Sequence, residues 1–346
     1  MKVTVVKNLN VRFGEPRLNA PSYQYLAPGS ELVIDGKTYK GDKYRGNDNW
    51  YRDEANNYYW SGGIKKKNAH IEPNDLTNWV NFFGLSKVQD GLELDKTTVA
   101  VLDSGINYNH IDLDGVCSIG KNFLWPEDDF IDNDGHGTHC SGIIAGTGEN
   151  RITGIARGVK IVMAEVVGVR GMGVNESVLY NAIDWAISHS NIISISLGIP
   201  YKSNRIHELI QRGVAANKIF IASIGNVDPN LKSNGAYPAL YEEVISVGCL
   251  TDNFQLSDLT IRNSNIDINV PGEKIISTFS GSKDSYSEES GTSMSTAIVS
   301  GLAALFKTKY PLSNYTMFKD FLIEISEKKI DNGFSYSSIK PKKIIL

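Results

Sequence analysis

The chain has 346 residues, 41% of them hydrophobic, and a formal net charge of −4 from 35 basic and 39 acidic side chains. That length suits one large domain plus one small one, and that apolar content supports a proper core. The near-balanced charge gives no electrostatic case for nucleic acid or an anionic membrane surface, and no apolar run approaches the roughly 20 residues that span a bilayer. The stretch Met1–Lys7 has too short an apolar segment for a signal peptide. Three cysteines, Cys117, Cys140 and Cys249, are an odd number without a disulfide pattern. Together these features favour a cytoplasmic setting, with a secreted protein whose leader has been removed as the alternative.

Residues 1–64 are rich in short β-prone runs: Val3–Val6, Leu9–Phe13, Glu31–Ile34, Trp50–Arg52 and Tyr58–Trp60. Turn signals such as Ala27-Pro28-Gly29, Asp35-Gly36 and Gly46-Asn47 separate them, and the pattern predicts a small barrel. Residues 65–91 read as a linker, opening on Lys65-Lys66-Lys67-Asn68, and a lead-in helix over 74–85. In residues 92–346 strands alternate with helices. Strands are expected at 98–102, 160–167, 192–196, 218–223 and 244–247, and helices at 136–146, 175–190, 203–217 and 292–309, followed by a closing helix and an edge segment. This order predicts a mainly parallel sheet with helices on both faces.

Gly291-Thr292-Ser293-Met294-Ser295 opens the last long helix. A hydroxyl at a helix start meets unpaired backbone N–H groups and the positive end of the dipole, which suits attack on a carbonyl, although the same residues also form a plain N-cap. A serine needs a general base, and His136 or His139 of Asp134-Gly135-His136-Gly137-Thr138-His139 can supply one. Three residues apart on one helix, the two histidines could also suggest a metal pair, but no third ligand stands at a metal-site spacing nearby. A carboxylate that orients the imidazole is available in Asp103, at the end of a strand-like run, where a turn residue is the bland reading.

With Ser196-Leu197-Gly198 and Ile224-Gly225-Asn226 added, these segments resemble the subtilisin-like serine proteases, the subtilase family, over about residues 76–340. The resemblance implies an α/β, three-layer subtilisin-like fold with a mainly parallel central sheet. It implies a serine endopeptidase with Ser293 as nucleophile, His136 as base, Asp103 as orienting acid and Asn226 as oxyanion donor, and needs no cofactor for catalysis. His139 is then a packed structural histidine. An extended polypeptide substrate would lie beside Ser196, Leu197 and Gly198, with a specificity pocket formed with Ala222, Ser223, Gly225 and Ala236. These positions carry no acid, which favours a large apolar side chain before the scissile bond. Ile199 stands where the family usually has a second glycine. Asp128, Asp129, Asp132 and Asp134 read as a solvated acidic loop, with a preference for a basic substrate residue one position further from the cut as the sharper reading. Asp112 matches a calcium-ligand aspartate of the family, which raises structural calcium there; the partner loop, about 147–153, is about one residue short against the six to eight oxygens calcium needs, and the balance falls against it. Leu9-Asn10-Val11-Arg12, Asn49-Trp50-Tyr51 and Tyr59-Trp60-Ser61-Gly62 resemble a bacterial SH3-like domain, which implies a peptide, glycan or protein partner for residues 1–64. The rival readings are a catalytically silent binding scaffold on a protease fold and a secreted, cell-wall-targeted protease.

Overall fold

Short alternating runs in the first part of the chain and continuous β-branched runs in the second give two kinds of sheet. The computed structural model describes residues 2–7, 9–22, 24–35, 37–44, 46–66, 80–168, 173–228 and 233–346. The chain divides into two compact units, residues 1–72 and 73–346.

In the first unit β1 (Lys2–Val5) pairs antiparallel with β4 (Glu31–Val33) and β8 (Ile64–Lys66). A second sheet runs in the order β3 (Gln24–Leu26), β2 (Leu9–Phe13), β7 (Asn57–Trp60), β6 (Asn47–Arg52) and β5 (Tyr39–Tyr44). Val3, Val5, Leu9, Ile34, Tyr59 and Ile64 are buried together as its core. Strands β3, β5 and β8 were not expected. The sequence of β5, Tyr-Lys-Gly-Asp-Lys-Tyr, is polar because most of the strand is exposed. The lysine run read as a linker begins inside β8, where backbone pairing with β1 decides the conformation whatever the side chains are. Lys67-Asn68, and residues 74–79 of the expected lead-in helix, lie outside the described residues; a short helix α1 runs Leu85–Gln89.

The second unit is built on a nine-stranded sheet. Its order is β10 (Cys117–Asn122), β11 (Lys160–Glu165), β9 (Thr98–Asp103), β12 (Ile192–Ile195), β13 (Ile219–Ser223), β14 (Val244–Leu250), β15 (Ile268–Pro271), β19 (Phe334–Ile339) and β18 (Ser326–Asp331). All neighbours are parallel except the β18–β19 hairpin at the edge. The central strands are buried on both faces, which is why they read as unbroken apolar runs.

Alternate residues of the central strands point to opposite layers. Ala100, Leu102, Ile193, Ile195, Phe220 and Ala222 pack under α3 (Glu176–His189) and α4 (Asn204–Ala215). On the other face lie α2 (His136–Ala145) and α5 (Thr292–Lys309), where the hydroxyls of Ser300 and Ser194 are hydrogen-bonded at 2.8 Å. Every residue of α5 from Thr292 to Lys307 is buried, so its hydroxyls must find partners inside: Thr296 and Ser300 return theirs to the carbonyls of Thr292 and Thr296. A hairpin of β16 (Ile275–Thr278) and β17 (Tyr286–Glu289) packs on α2, and α6 (Tyr315–Glu324) closes the unit. The strands β10, β15, β16 and β17 escaped the sequence reading because they are short or, like β10 and β17, largely polar and partly exposed. Among the described residues no helix is long and apolar enough to cross a membrane.

Candidate active site

Parallel register puts the carboxyl ends of β9, β11, β12 and β13 along one edge of the sheet, where open α/β folds assemble their sites. Glu165 pairs with Asp103, and Ile195, just before Ser196, pairs with Leu102 and with Ala222. Asp103 is thus presented at the middle of the edge, 1% exposed, and His136 sits on the first turn of α2 above it. His136 Nδ1 lies 2.7 Å from Asp103 Oδ1, which also accepts the Ser104 backbone N–H at 2.8 Å. Such closeness needs Gly137: a Cβ there would stand 2.2 Å from the Gly105 carbonyl oxygen.

Ser293 sits in the first turn of α5, and its Oγ donates to the Ser196 carbonyl at 3.2 Å. Ser196 Oγ in turn donates to the Ser293 carbonyl at 3.4 Å and receives the Cys140 thiol of α2 at 3.9 Å. Ser196 therefore ties the helix carrying His136 to the helix carrying Ser293. Asn226 follows β13, and its Oδ1 accepts both the backbone N–H and the hydroxyl of Thr292, each at 3.0 Å. That fixes the amide, so its Nδ2 turns toward Gly291, where a Cβ would approach to 2.8 Å. Asn226 as a residue is exposed. His139 is fully buried, with Nε2 between the carbonyls of Ile275 and Ser287, and burial pushes its pKa down to about 4. Its imidazole is held by the β16–β17 hairpin and favours the neutral form.

The expected substrate cleft is only partly assembled from the expected residues. Leu197 and Gly198 are half-buried, and Ile199 pairs by backbone with Tyr237, next to Ala236. Ile199 does not fill a pocket; its side chain belongs to the core beneath α3 and α4. Ala222 belongs to the same core and is 0% exposed, so it backs the cleft without lining it. Ser223 is also buried, and Gly225 is half-buried beside Asn226.

One acidic position differs from its expected surroundings, and another was not singled out in the sequence. Asp132 is not part of a solvated loop: it is buried, whereas Asp128 and Asp129 are exposed. It accepts five hydrogen bonds, from Ser104 Oγ, the N–H groups of Asp134, Gly135 and Thr138, and Thr138 Oγ1. No linear motif marked it, because its donors come from three backbone positions and from a residue 28 positions earlier. Glu165, facing Asp103 across the β9–β11 pair, is pushed up to about 7 by burial and by the negative charges of Asp132, Asp128 and Asp129.

Asp112 does not fit a calcium ligand. Its Oδ1 accepts the N–H groups of Asn150 and Arg151, and its Oδ2 those of Arg151 and Ile152 together with the Tyr286 hydroxyl at 2.7 Å. Calcium requires a shell of oxygens; here the carboxylate is enclosed by donors, and the Arg151 guanidinium lies 5.0 Å from the centre of the Tyr286 ring.

Residues 95–337 match the subtilase family, and the chain belongs to it. It is a subtilisin-like serine endopeptidase, a hydrolase whose catalysis needs no cofactor. Its relatives include an "Intracellular serine protease" of Paenibacillus polymyxa, 37% identical over 220 residues, 60% of this chain and 66% of that one. The "Major intracellular serine protease" of Bacillus subtilis (strain 168) is 34% identical over 258 residues, 69% of this chain and 80% of that one. The crystal structure of a cold-adapted subtilisin-like serine proteinase superposes with a TM-score of 0.64 at 26% identity, covering 74% of this chain and 91% of that one.

Proposed function

We propose that Ser293, His136 and Asp103 form the catalytic triad and that Asn226 and the Ser293 backbone N–H form the oxyanion hole. The observation that supports this reading is the Asp103–His136 contact at the sheet edge; Ser196, which receives the Ser293 hydroxyl on its carbonyl, also receives the Cys140 thiol of the helix that carries His136. Asp103 holds the proton on His136 Nδ1 and leaves Nε2 as the base. Nε2 takes the Ser293 hydroxyl proton as Oγ attacks the peptide carbonyl carbon. The carbonyl oxygen becomes an oxyanion that accepts from Asn226 Nδ2 and Ser293 N–H. Collapse breaks the C–N bond, and the imidazolium protonates the leaving amine. Water then repeats the sequence and frees the acid from Ser293. The substrate is an extended polypeptide added as a strand beside residues 196–198. The absence of an acid among Ser196, Leu197, Gly198, Ser223, Gly225 and Ala236 supports a large apolar side chain before the scissile bond.

The setting we propose is intracellular, and the names of the two bacterial relatives support it. Residues 1–64 act as an SH3-like module for a peptide, glycan or protein partner; two small antiparallel sheets around a mainly aliphatic core are compatible with that role. Labelling by a fluorophosphonate tests the triad: the full chain takes up the probe, and Ser293→Ala does not. Absence of labelling in the intact chain with measurable peptidase activity would refute the assignment. Retention of the full chain on pelleted peptidoglycan would favour a cell-wall role over the intracellular one.

A further inference from the structure

We propose that Asp132 is a positioning residue that sets the geometry of the Asp103–His136 pair from behind. This rests on the catalytic reading of that pair. Both oxygens of Asp132 are used. Oδ1 accepts from Ser104 Oγ at 3.0 Å, Asp134 N at 2.9 Å and Gly135 N at 2.8 Å. Oδ2 accepts from Thr138 N at 2.9 Å and Thr138 Oγ1 at 2.6 Å. Five donors converging on one buried side chain demand a group that only accepts, which is an ionised carboxylate.

The five bonds join two segments. One is the loop after β9, where Ser104 follows Asp103 and its backbone N–H binds Asp103 Oδ1. The other is the N-terminal turn of α2, residues 135–138, which carries His136. Ser104 Oγ links them a second time, because it donates to Asp132 and accepts the Gly137 N–H at 2.9 Å. Thr138 Oγ1 also accepts the Asn107 N–H at 2.9 Å, closing the loop onto the helix. Asp132 is thus bound to the immediate chain neighbours of both members of the pair while touching neither. The helix N-terminus gains a buried negative charge, which the dipole favours.

The same charge acts on the protonated imidazole. Asp103 from β9 and Glu165 from β11 interact electrostatically with Asp132, Asp128 and Asp129 of its own loop act on Glu165 beside it, and Asp134 and His136 follow it closely in the chain. Burial and the charge of Asp103 push the Asp132 carboxyl up, against the donors of Thr138 and Gly135. Removing the Asp132 charge lessens the stabilisation of imidazolium, so the base stays neutral to lower pH.

The test is Asp132→Asn in the full chain, with Glu165→Gln as a neighbouring charge control and fluorophosphonate titration counting active sites. On a peptide substrate, kcat per titrated site falls about 10- to 100-fold, KM holds, and the acid limb of the kcat/KM profile moves to lower pH. In Glu165→Gln, where the wild-type side chain already holds its proton over the acid limb, kcat and the limb both hold. Unchanged kcat and an unchanged limb in Asp132→Asn would overturn the proposal. So would a loss explained entirely by fewer titratable sites with the limb in place, which marks a purely structural role. If Asp132→Asn does not fold, Ser104→Ala decides: it removes the linking hydroxyl but keeps the charge, so kcat falls with the limb unmoved, and wild-type kcat would overturn the proposal. Failure of the wild type to label would indict the triad reading instead.

Discussion

His136 Nδ1 stands 2.7 Å from Asp103 Oδ1, and the carboxylate that holds it is 1% exposed. A buried acceptor at that distance selects the tautomer with its proton on Nδ1 and leaves Nε2 able to accept. Asp103→Asn keeps the shape but presents an amide that can turn its NH2 toward the ring and stabilise the opposite tautomer. We expect kcat to fall about 10,000-fold with little change in KM, as a loss confined to the transition state requires. Steady-state kinetics on a chromogenic peptide measures it; a loss below tenfold contradicts the assignment.

The Asn226 amide is held by its oxygen, through the N–H and hydroxyl of Thr292, which on the proposed reading leaves its nitrogen to face the substrate. Asn226→Ala should therefore lower kcat by about 100- to 1000-fold, a figure taken from subtilisin, a member of this family. KM should hold, because the donor acts on the developing oxyanion. Thr292→Val removes one of the two restraints on the amide oxygen while leaving the backbone N–H, and should cost less than Asn226→Ala. The reverse order would mean that the amide is not the oxyanion donor.

The long buried elements were legible because burial on both faces leaves a continuous apolar trace, as in Thr98–Asp103 and Ile219–Ser223. The segments that carry Asp103, His136, Asn226 and Ser293 were legible because they are short linear motifs. What the sequence hid was contact between distant segments. Asp132 looked like its exposed neighbours Asp128 and Asp129, and the start of α2 together with Ser104, from the loop after β9, makes it a buried acceptor. Ala222 and Ile199 stood beside cleft residues in the chain, but the alternation of the strand and the pairing of Ile199 with Tyr237 turn them into the core. Lys65 and Lys66 read as linker because a short strand paired through its backbone needs no apolar side chains.

Asp112 gives the third prediction. Its carboxylate is saturated by three backbone N–H groups and the Tyr286 hydroxyl, so protein donors do here what a cation would otherwise do. Asn150 Nδ2 supports the arrangement by donating to Tyr286 Oη at 2.7 Å. Tyr286→Phe removes a hydrogen bond to a buried charge, worth about 1.5–3 kcal/mol, and should lower the Tm by several degrees. The decrement from wild type should be the same in EDTA as in millimolar calcium. A decrement that calcium abolishes would mean that Asp112 recruits the ion.

Glu165 supplies a pH-dependent contribution with a definite sign. Burial and the nearby charges of Asp132, Asp128 and Asp129 push its folded pKa up to about 7, while its ordinary value is 4.5. The folded protein therefore holds a proton between those values that the unfolded chain releases. By linkage, this group's contribution is most favourable below pH 4.5 and is lost as pH rises through about 7. Glu165→Gln cannot ionise, and its amide can keep an acceptor for Asn122 Nδ2, which donates to Glu165 Oε2 at 3.0 Å. Relative to wild type, the variant should gain stability progressively from about pH 5 to pH 8, with the largest gain at the alkaline end. Thermal melts of the two proteins at matched ionic strength across that range measure it. A difference that is flat, or that grows toward acid, would show that Glu165 is ionised throughout and held by a partner other than Asn122.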